Sequence, residues 1–223
     1  TALFSLDRLE WDEEILAACG IPMELMPPAL ASSSQFGDMN PRDTGVPGNS
    51  SVPITAIMAD QQAGMFGQAC FEPGSVKNTY GTAGVLTANT GAKPSVLDGL
   101  TASVGWTIGS RTDYEAEGVV FHSGQTMQWL RDKLGVLSDG EDIEATARQV
   151  PDNGGVYIVP AFAGICAPHW VRDAQAGIVG LTLETGRAHV VRAGLEAMAY
   201  QTRDNVEALR AGGLPIPELK VDG

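Results

Sequence analysis

Basic residues, cysteines and long apolar runs are scarce in this chain. Lys and Arg total 14 against 27 Asp and Glu, a formal net charge of −13. A nucleic-acid partner needs basic surface to meet phosphate, so that class is excluded. No apolar run approaches the ~20 residues that cross a bilayer, so no membrane span is expected. Residues 1–12 have neither the basic start nor the apolar block of a secretory leader. The three cysteines, Cys19, Cys70 and Cys166, are far apart and odd in number. That fits free thiols in a reducing cytoplasm better than a disulfide framework. Cys166 and His169 have C-x-x-H spacing, but zinc takes about four ligands and no second pair accompanies them, so no metal site is expected. His122, His169 and His189 have no Ser or Cys partner arrangement that would make a hydrolase triad. The phosphate loop G-x-x-x-x-G-K-[ST] is absent too.

What is present suffices for a substantial core: 223 residues, 43% of them hydrophobic and 18% charged. The pattern predicts a short helix over Trp11–Cys19, with Asp12, Glu13 and Glu14 at its positive end. Pro27–Pro53 is rich in Pro, Gly, Ser and Asn and reads as a surface or interdomain connection. A buried strand is expected over Ile54–Met58, then a helix over Gln61–Cys70. Strand-like pieces follow at Val76–Tyr80, Val85–Asn89, Leu100–Ile108 and Asp113–Glu117. Helices are predicted over Val119–Leu134 and Ala188–Leu209, with a weaker one over Ile143–Val150. Gly155–Pro160 reads as a short buried strand and Glu218–Asp222 as another. There is no internal repeat and no low-complexity tract. Mixed strands followed by helices give an α/β or α+β class.

Two segments carry chemistry. In Ala59-Asp60-Gln61-Gln62-Ala63 a carboxylate falls where a strand is expected to turn into a helix, a place from which it can take a proton from a substrate hydroxyl. From its position alone, Asp60 reads first as a helix cap. Further on, Asn78-Thr79-Tyr80-Gly81-Thr82-Ala83 makes a small, hydroxyl-bearing turn that can receive phosphate oxygens or serve as an ordinary hairpin turn. A base followed by a phosphate turn suggests phosphoryl transfer to a hydroxyl.

Several segments, in this order, resemble the FGGY carbohydrate kinases: Asp60-Gln61-Gln62-Ala63, Asn78-Thr79-Tyr80-Gly81-Thr82, Gln128-Trp129-Leu130-Arg131-Asp132, Val159-Pro160-Ala161-Phe162-Ala163-Gly164, Ala167-Pro168 before Trp170, and Ala199-Tyr200-Gln201-Thr202-Arg203-Asp204. The resemblance runs from about Leu9 to Gly223. It implies the actin-like, ribonuclease H-like ATPase fold, in an incomplete form. Residues 1–53 would be the tail of the N-terminal domain and the interdomain connection. Residues 54–223 would be the C-terminal domain, stopping before its adenosine-binding end. The family's Asp-x-Gly-Thr loop does not occur, so this polypeptide by itself is expected to be inactive.

The implied reaction is ATP-dependent phosphorylation of glycerol to glycerol 3-phosphate in the cytoplasm, with Mg²⁺ on the ATP phosphates. Another polyol or sugar of the same family, or a binding relative without catalysis, is the alternative. Asp60 would be the catalytic base. Gln61 would bond a substrate hydroxyl, and Val85 would line the substrate pocket where the family usually has an aromatic residue. Thr82, Gly124 and Gln128 would meet ATP. Without the family, Gln61 and Gln128 are solvated helix residues and Gly124 a close-packing one. Trp129 and Tyr200 read as core aromatics, and Gln62 has no assigned role. Members of the family often pair, so a homodimer is the partner the resemblance allows. Ala59 and Ala83 replace glycines, Ala83 within the phosphate turn. Val171, Gln175-Ala176 and Gly194 also depart from the pattern. Asp43-Thr44-Gly45-Val46-Pro47-Gly48 lacks the Gly-Gly-x-Arg arrangement tied to sugar-bisphosphate control, which is expected to be absent.

Overall fold

The computed structural model describes residues 2–40 and 51–223; the segment carrying Asp43–Gly48 lies outside the described residues. The chain opens with two short paired strands, β1 (Phe4–Ser5) and β2 (Glu10–Trp11), and helix α1 (Glu13–Ala18). Asp12 caps α1: its Oδ1 accepts the Ile15 N–H at 3.0 Å, which satisfies one of the helix's free donors. A single 3₁₀ turn (Met23–Leu25) follows. Strands β3 (Gly37–Met39) and β4 (Val52–Ile54) then pair antiparallel.

Helix α2 (Asp60–Gly67) leads into the central sheet. Its strands are β5 (Val76–Tyr80), β6 (Gly84–Gly91), β7 (Thr101–Ile108), β8 (Arg111–Val120) and, at the end of the chain, β11 (Leu219–Asp222). The spatial order is β11-β5-β6-β8-β7, with β11 parallel to β5 and the other pairs antiparallel. Between β8 and β11 come α3 (Gly124–Asp132), α4 (Ile143–Ala147), the antiparallel pair β9 (Tyr157–Val159) and β10 (Gly177–Val179), and the 25-residue α5 (Arg187–Ala211).

Strand alternation sorts the sheet into two unlike faces. Val76, Leu86, Ala88 and Ala116 share one face and are buried with Leu209 of α5 and with Leu97 and Leu100. Gly118 is on the same face, where α5 comes so close that a Cβ would lie 2.6 Å from the Asn205 side chain. A second core joins α3, α4, β9 and the first half of α5 through Met127, Leu130, Ala147, Ile158, Val191 and Ala197. The opposite face carries Lys77, Thr87, Glu115 and Glu117 and lies under α2. Its apolar component is a small cluster of Met65, Cys70 and Trp106.

The structure changes several expectations. The strand predicted over Ile54–Met58 is Val52–Ile54 only, and residues 55–59 are irregular. Ile57 is exposed and its N–H bonds Ser32 O. The apolar run has no sheet partner beyond Ile54, so it cannot be the buried strand that its composition suggests. The helix predicted from Val119 starts at Gly124, because Val119 and Val120 pair with Val85 and Gly84 in the ladder; two valines suit a strand at least as well as a helix. Of β9 only Ile158 is buried. Tyr200 is exposed rather than in the core, with its hydroxyl donating to Glu196, whereas Trp129 packs on Phe162 with ring centroids 4.8 Å apart.

Leu209 is fully buried between α5 and the sheet. Leu209→Ala is expected to destabilise the protein by ~2–5 kcal/mol, from lost burial plus the cavity left behind, as measured by urea denaturation.

Candidate functional site

The β5–β6 hairpin is the element around which the sequence-predicted residues gather. Its tip is Gly81-Thr82-Ala83, where the Gly81 N–H bonds Ala83 O at 2.9 Å. The tip is braced by the start of α3. The N–H groups of Ser123 and Gln125 donate to Thr82 O at 3.1 and 3.2 Å, and that of Gly124 to Gly81 O at 2.9 Å. Gly124 is required for this approach, since a Cβ there would come within 2.7 Å of the Gly81 carbonyl oxygen. Helix N-termini have unused N–H donors; here they fix the turn. Ala83 imposes no strain on it. Among the described non-glycine residues only Leu9, Ala69 and Trp170 have positive φ, so the glycine it replaces is not needed for a left-handed backbone.

Gly124 and Gln128, one helical turn apart, line a cavity of about 520 Å³ together with Tyr80, Met127, Leu195 and Met198. Tyr80 donates its hydroxyl hydrogen bond to Thr202 of α5 at 3.2 Å. Arg131 and Glu141 also line it. Arg131 is tied there to Asp132, and Glu141 is held to about 2 by hydrogen bonds from the Thr146 hydroxyl and the Ser138 N–H, reinforced by Arg187.

On the other face of the hairpin lies the N-terminal turn of α2. Asp60 is the first helical residue, with Ala59 at the cap position. Its carboxylate is exposed, and Oδ1 accepts the Gln61 N–H at 2.9 Å. Gln61 Oε1 accepts from the Lys77 ammonium, which leaves the Gln61 amide NH₂ as its free donor group. Val85 is half-buried on this same face, opposite Thr79 and Val119. The structure thus brings Thr82 against Gly124, and Gly124 beside Gln128. It puts Asp60, Gln61 and Val85 on the α2 side and does not place them in the cavity lined by Gly124 and Gln128.

Sequence reading missed a buried charged layer beneath α2. Lys77 and Glu115 are fully buried. The register sets Lys77 opposite Thr87, Thr87 opposite Glu117, and Glu117 opposite Thr101. Gln62, which had no assigned role, donates from Nε2 to Glu115 Oε1, and the Ser103 hydroxyl donates to the same oxygen at 2.7 Å. Glu115 Oε2 is buried without a protein partner. Burial outweighs the Ser103 and Gln62 hydrogen bonds and pushes the Glu115 carboxyl up to about 7. Burial also raises Glu117 and lowers Lys77, the latter against the pull of Asp222, Glu115, Glu117 and Asp60. The available signal was Glu115-Ala116-Glu117, with ionisable residues at alternate positions of a strand that is covered on both faces, and the single lysine Lys77 within β5. His169, read against Cys166 in the sequence, instead meets Asp204 at 3.0 Å.

With this geometry in view, the comparisons with known proteins define the class. Residues 76–223 match the C-terminal domain, and residues 1–67 the N-terminal domain, of the FGGY family of carbohydrate kinases. The chain belongs to that family, and its fold is the ribonuclease H-like, actin-like ATPase fold. Its relatives include glycerol kinases from Symbiobacterium thermophilum and Halorhodospira halophila, 49% and 46% identical. Each match covers 100% of this chain and 44% of the relative, so the chain spans less than half their length. A solved glycerol kinase from Plasmodium falciparum with ADP superposes with a TM-score of 0.87 at 34% identity, over 100% of this chain and 45% of that one. A gluconate kinase from Lactobacillus acidophilus has a TM-score of 0.80 at 19% identity and shares the fold.

Gly124→Ala is expected to push the 81–83 turn aside and to cost ~1–3 kcal/mol in urea denaturation. Gln128→Ala, at an exposed position, should stay within ~0.5 kcal/mol of the parent. Glu115 gives a pH signature. Its folded-state value of about 7 lies above the ordinary 4.5, so folding takes up a proton between those values. Its contribution to stability is therefore most favourable below about 4.5, falls as pH rises toward about 7, and is flat beyond. Denaturation curves across that range should show the parent losing stability relative to Glu115→Gln as pH rises. A pH-independent difference would contradict this account of the buried carboxyl.

Proposed function

We propose that this chain is the hydroxyl-activating and phosphate-binding portion of an ATP-dependent glycerol kinase. One observation carries the reading: an exposed carboxylate begins α2, the helix packed on β5 and β6, and a braced hydroxyl turn joins those two strands, in a chain 49% identical to a glycerol kinase over 44% of that kinase's length. In the reaction, Asp60 accepts the proton of a primary hydroxyl. That oxygen forms a bond to the γ-phosphorus of ATP as the bond from the γ-phosphorus to the bridging oxygen breaks, releasing ADP. The Gln61 amide donates to a neighbouring substrate hydroxyl, and Val85 forms part of the pocket wall.

ATP lies on the other side of the hairpin. Its terminal phosphates meet the exposed Thr82, and the remainder uses the cavity lined by Gly124 and Gln128. An Mg²⁺ ion would arrive on the nucleotide. Mg²⁺ is usually held by phosphates, water and one or two carboxylates rather than by a protein cage. Among the described residues no group of three or more His, Cys, Asp or Glu side chains could hold a metal. When bound, the ion would neutralise charge on the transferring phosphoryl group.

We place residues 1–53 in the tail of the N-terminal domain and 54–223 in the C-terminal domain. The packing of α2 on β5 and β6 supports this boundary, while the N-terminal family match, which runs to residue 67, puts α2 on the other side of it. We place the protein in the cytoplasm; the exposed Cys19 and the buried, unpaired Cys70 and Cys166 suit a reducing compartment. No helix among the described residues is long and apolar enough to cross a membrane. A homodimer is the oligomer that the family suggests. Phosphorylation of a bulkier polyol or sugar is the second reading. Val85 favours it, because a valine leaves more room in the pocket than an aromatic ring.

Asp60→Asn keeps an acceptor for the Gln61 N–H and removes the base. In the full-length natural protein it should lower kcat by ~10²–10⁴-fold with little change in the glycerol KM, in an assay coupled to ADP release. Activity within tenfold of the parent would remove Asp60 as the base. A panel of glycerol, pentuloses and hexonates, compared by kcat/KM, separates the two substrate readings.

A further inference from the structure

Lys77 is the one cation among the residues named in the buried layer, and it joins two elements. Its ammonium donates to Gln61 Oε1 in α2 and to Thr79 Oγ1 in β5, the latter at 2.7 Å. The Thr79 hydroxyl also bonds the Asp222 carboxylate, which together with the Gln68 amide and Lys77 holds that acid below the usual carboxylate range. Lys220 completes the attachment by donating to Gln68 O at 2.6 Å, at the C-terminal end of α2. The helix is therefore fastened at its C-terminal end to β11, and at its Asp60 end through Gln62 to Glu115 of β8 and through Gln61 to the Lys77 ammonium of β5.

A lysine is a poor choice if packing were all that this position required. Burial opposes its charge, and an apolar side chain of similar volume would avoid that desolvation. What an apolar side chain cannot do is hold acceptors on two elements at a fixed separation.

We propose that Lys77 is a positioning residue for phosphoryl transfer: by bridging Gln61 and Thr79 it sets the α2 turn that presents Asp60 against the strand that runs into the Tyr80–Thr82 turn. The proposal rests on the kinase reading of Asp60 and Thr82 and deepens it. Lys77 touches neither substrate nor nucleotide and acts through Gln61 and Thr79. Asp222, Glu115, Glu117 and Asp60 supply the surrounding negative charge.

The test uses the full-length natural protein, with steady-state kinetics on ATP and glycerol and amide hydrogen exchange over residues 60–67 and 84–120. Lys77→Met should lower kcat about 10²-fold, the scale of a small misplacement of reacting groups, with the ATP KM within about threefold of the parent. Exchange should quicken in α2 and stay unchanged in β6 and β8. The loss should be partly non-additive with Gln61→Ala, because both remove the Lys77–Gln61 link, while Gln61→Ala alone also removes the proposed substrate contact. A merely structural lysine would lower the folded fraction, leave kcat per folded molecule near the parent and add independently to Gln61→Ala; either result overturns the proposal. Should Lys77→Met not fold, Thr79→Val removes one of the two acceptors and keeps the ammonium. It should quicken α2 exchange in the same selective way, and unchanged exchange there would equally overturn the proposal. A parent protein that phosphorylates nothing in the panel sinks the kinase reading alone, while the exchange measurements still decide whether Lys77 couples α2 to β5.

Discussion

The β5–β6 hairpin is the constraint on which the remaining structure depends. Because side chains alternate along a strand, five consecutive residues of β5 serve two environments at once. Val76, Asn78 and Tyr80 face α5, while Lys77 and Thr79 face α2. The ladder then transmits this division across the sheet, so Leu86 and Ala116 extend the apolar side and Thr87, Glu115 and Glu117 the polar side. A one-residue slip in register would exchange the two environments and bury charge against α5. The hairpin tip inherits its position from that pairing, and three N–H groups at the start of α3 fix it further.

The polar side of the sheet has an electrostatic character of its own. Buried carboxyl groups and a buried ammonium all have their charged forms disfavoured by desolvation; Gln62 of α2 hydrogen-bonds Glu115 and Gln61 hydrogen-bonds Lys77, while the charge of Lys77 acts against the burial of Glu117. Gln61 and Gln62 are adjacent in sequence and reach groups of opposite sign, Lys77 and Glu115. Gln61 accepts from the ammonium and Gln62 donates to the carboxyl, each with an amide that adds no further charge to the buried layer. The first turn of α2 is thus held by groups that need no solvent, while Asp60, at its start, remains exposed.

Much of the architecture was legible before any coordinates. The long helix α5, the strands of the central sheet and the short α1 follow from periodicity and end signals, and the order of short segments identified the family. The errors fell where local composition has two solutions. Val119-Val120 reads as the beginning of a helix until β6 supplies a partner, and Ile54–Met58 reads as a buried strand until no partner appears. The candidate site was half legible. Gly124 could be singled out, but not that it abuts Gly81. Gln62 had no assigned role because its partner, Glu115, lies 53 residues away. The charged layer was visible as an alternation in β8, but alternation alone does not say that both faces are covered.

What the amino-acid order determined by itself is everything set by near neighbours: the helix period of α5, the capping of α1 by Asp12, the alternation that makes each strand two-faced, and the presence of an acid ahead of a hydroxyl turn. Tertiary structure alone decided which face of the sheet received α2, how closely α3 could approach the turn, and which buried charges met. Those outcomes depend on contacts between residues far apart in the chain, where burial and desolvation are properties of the assembled environment and no local pattern carries them.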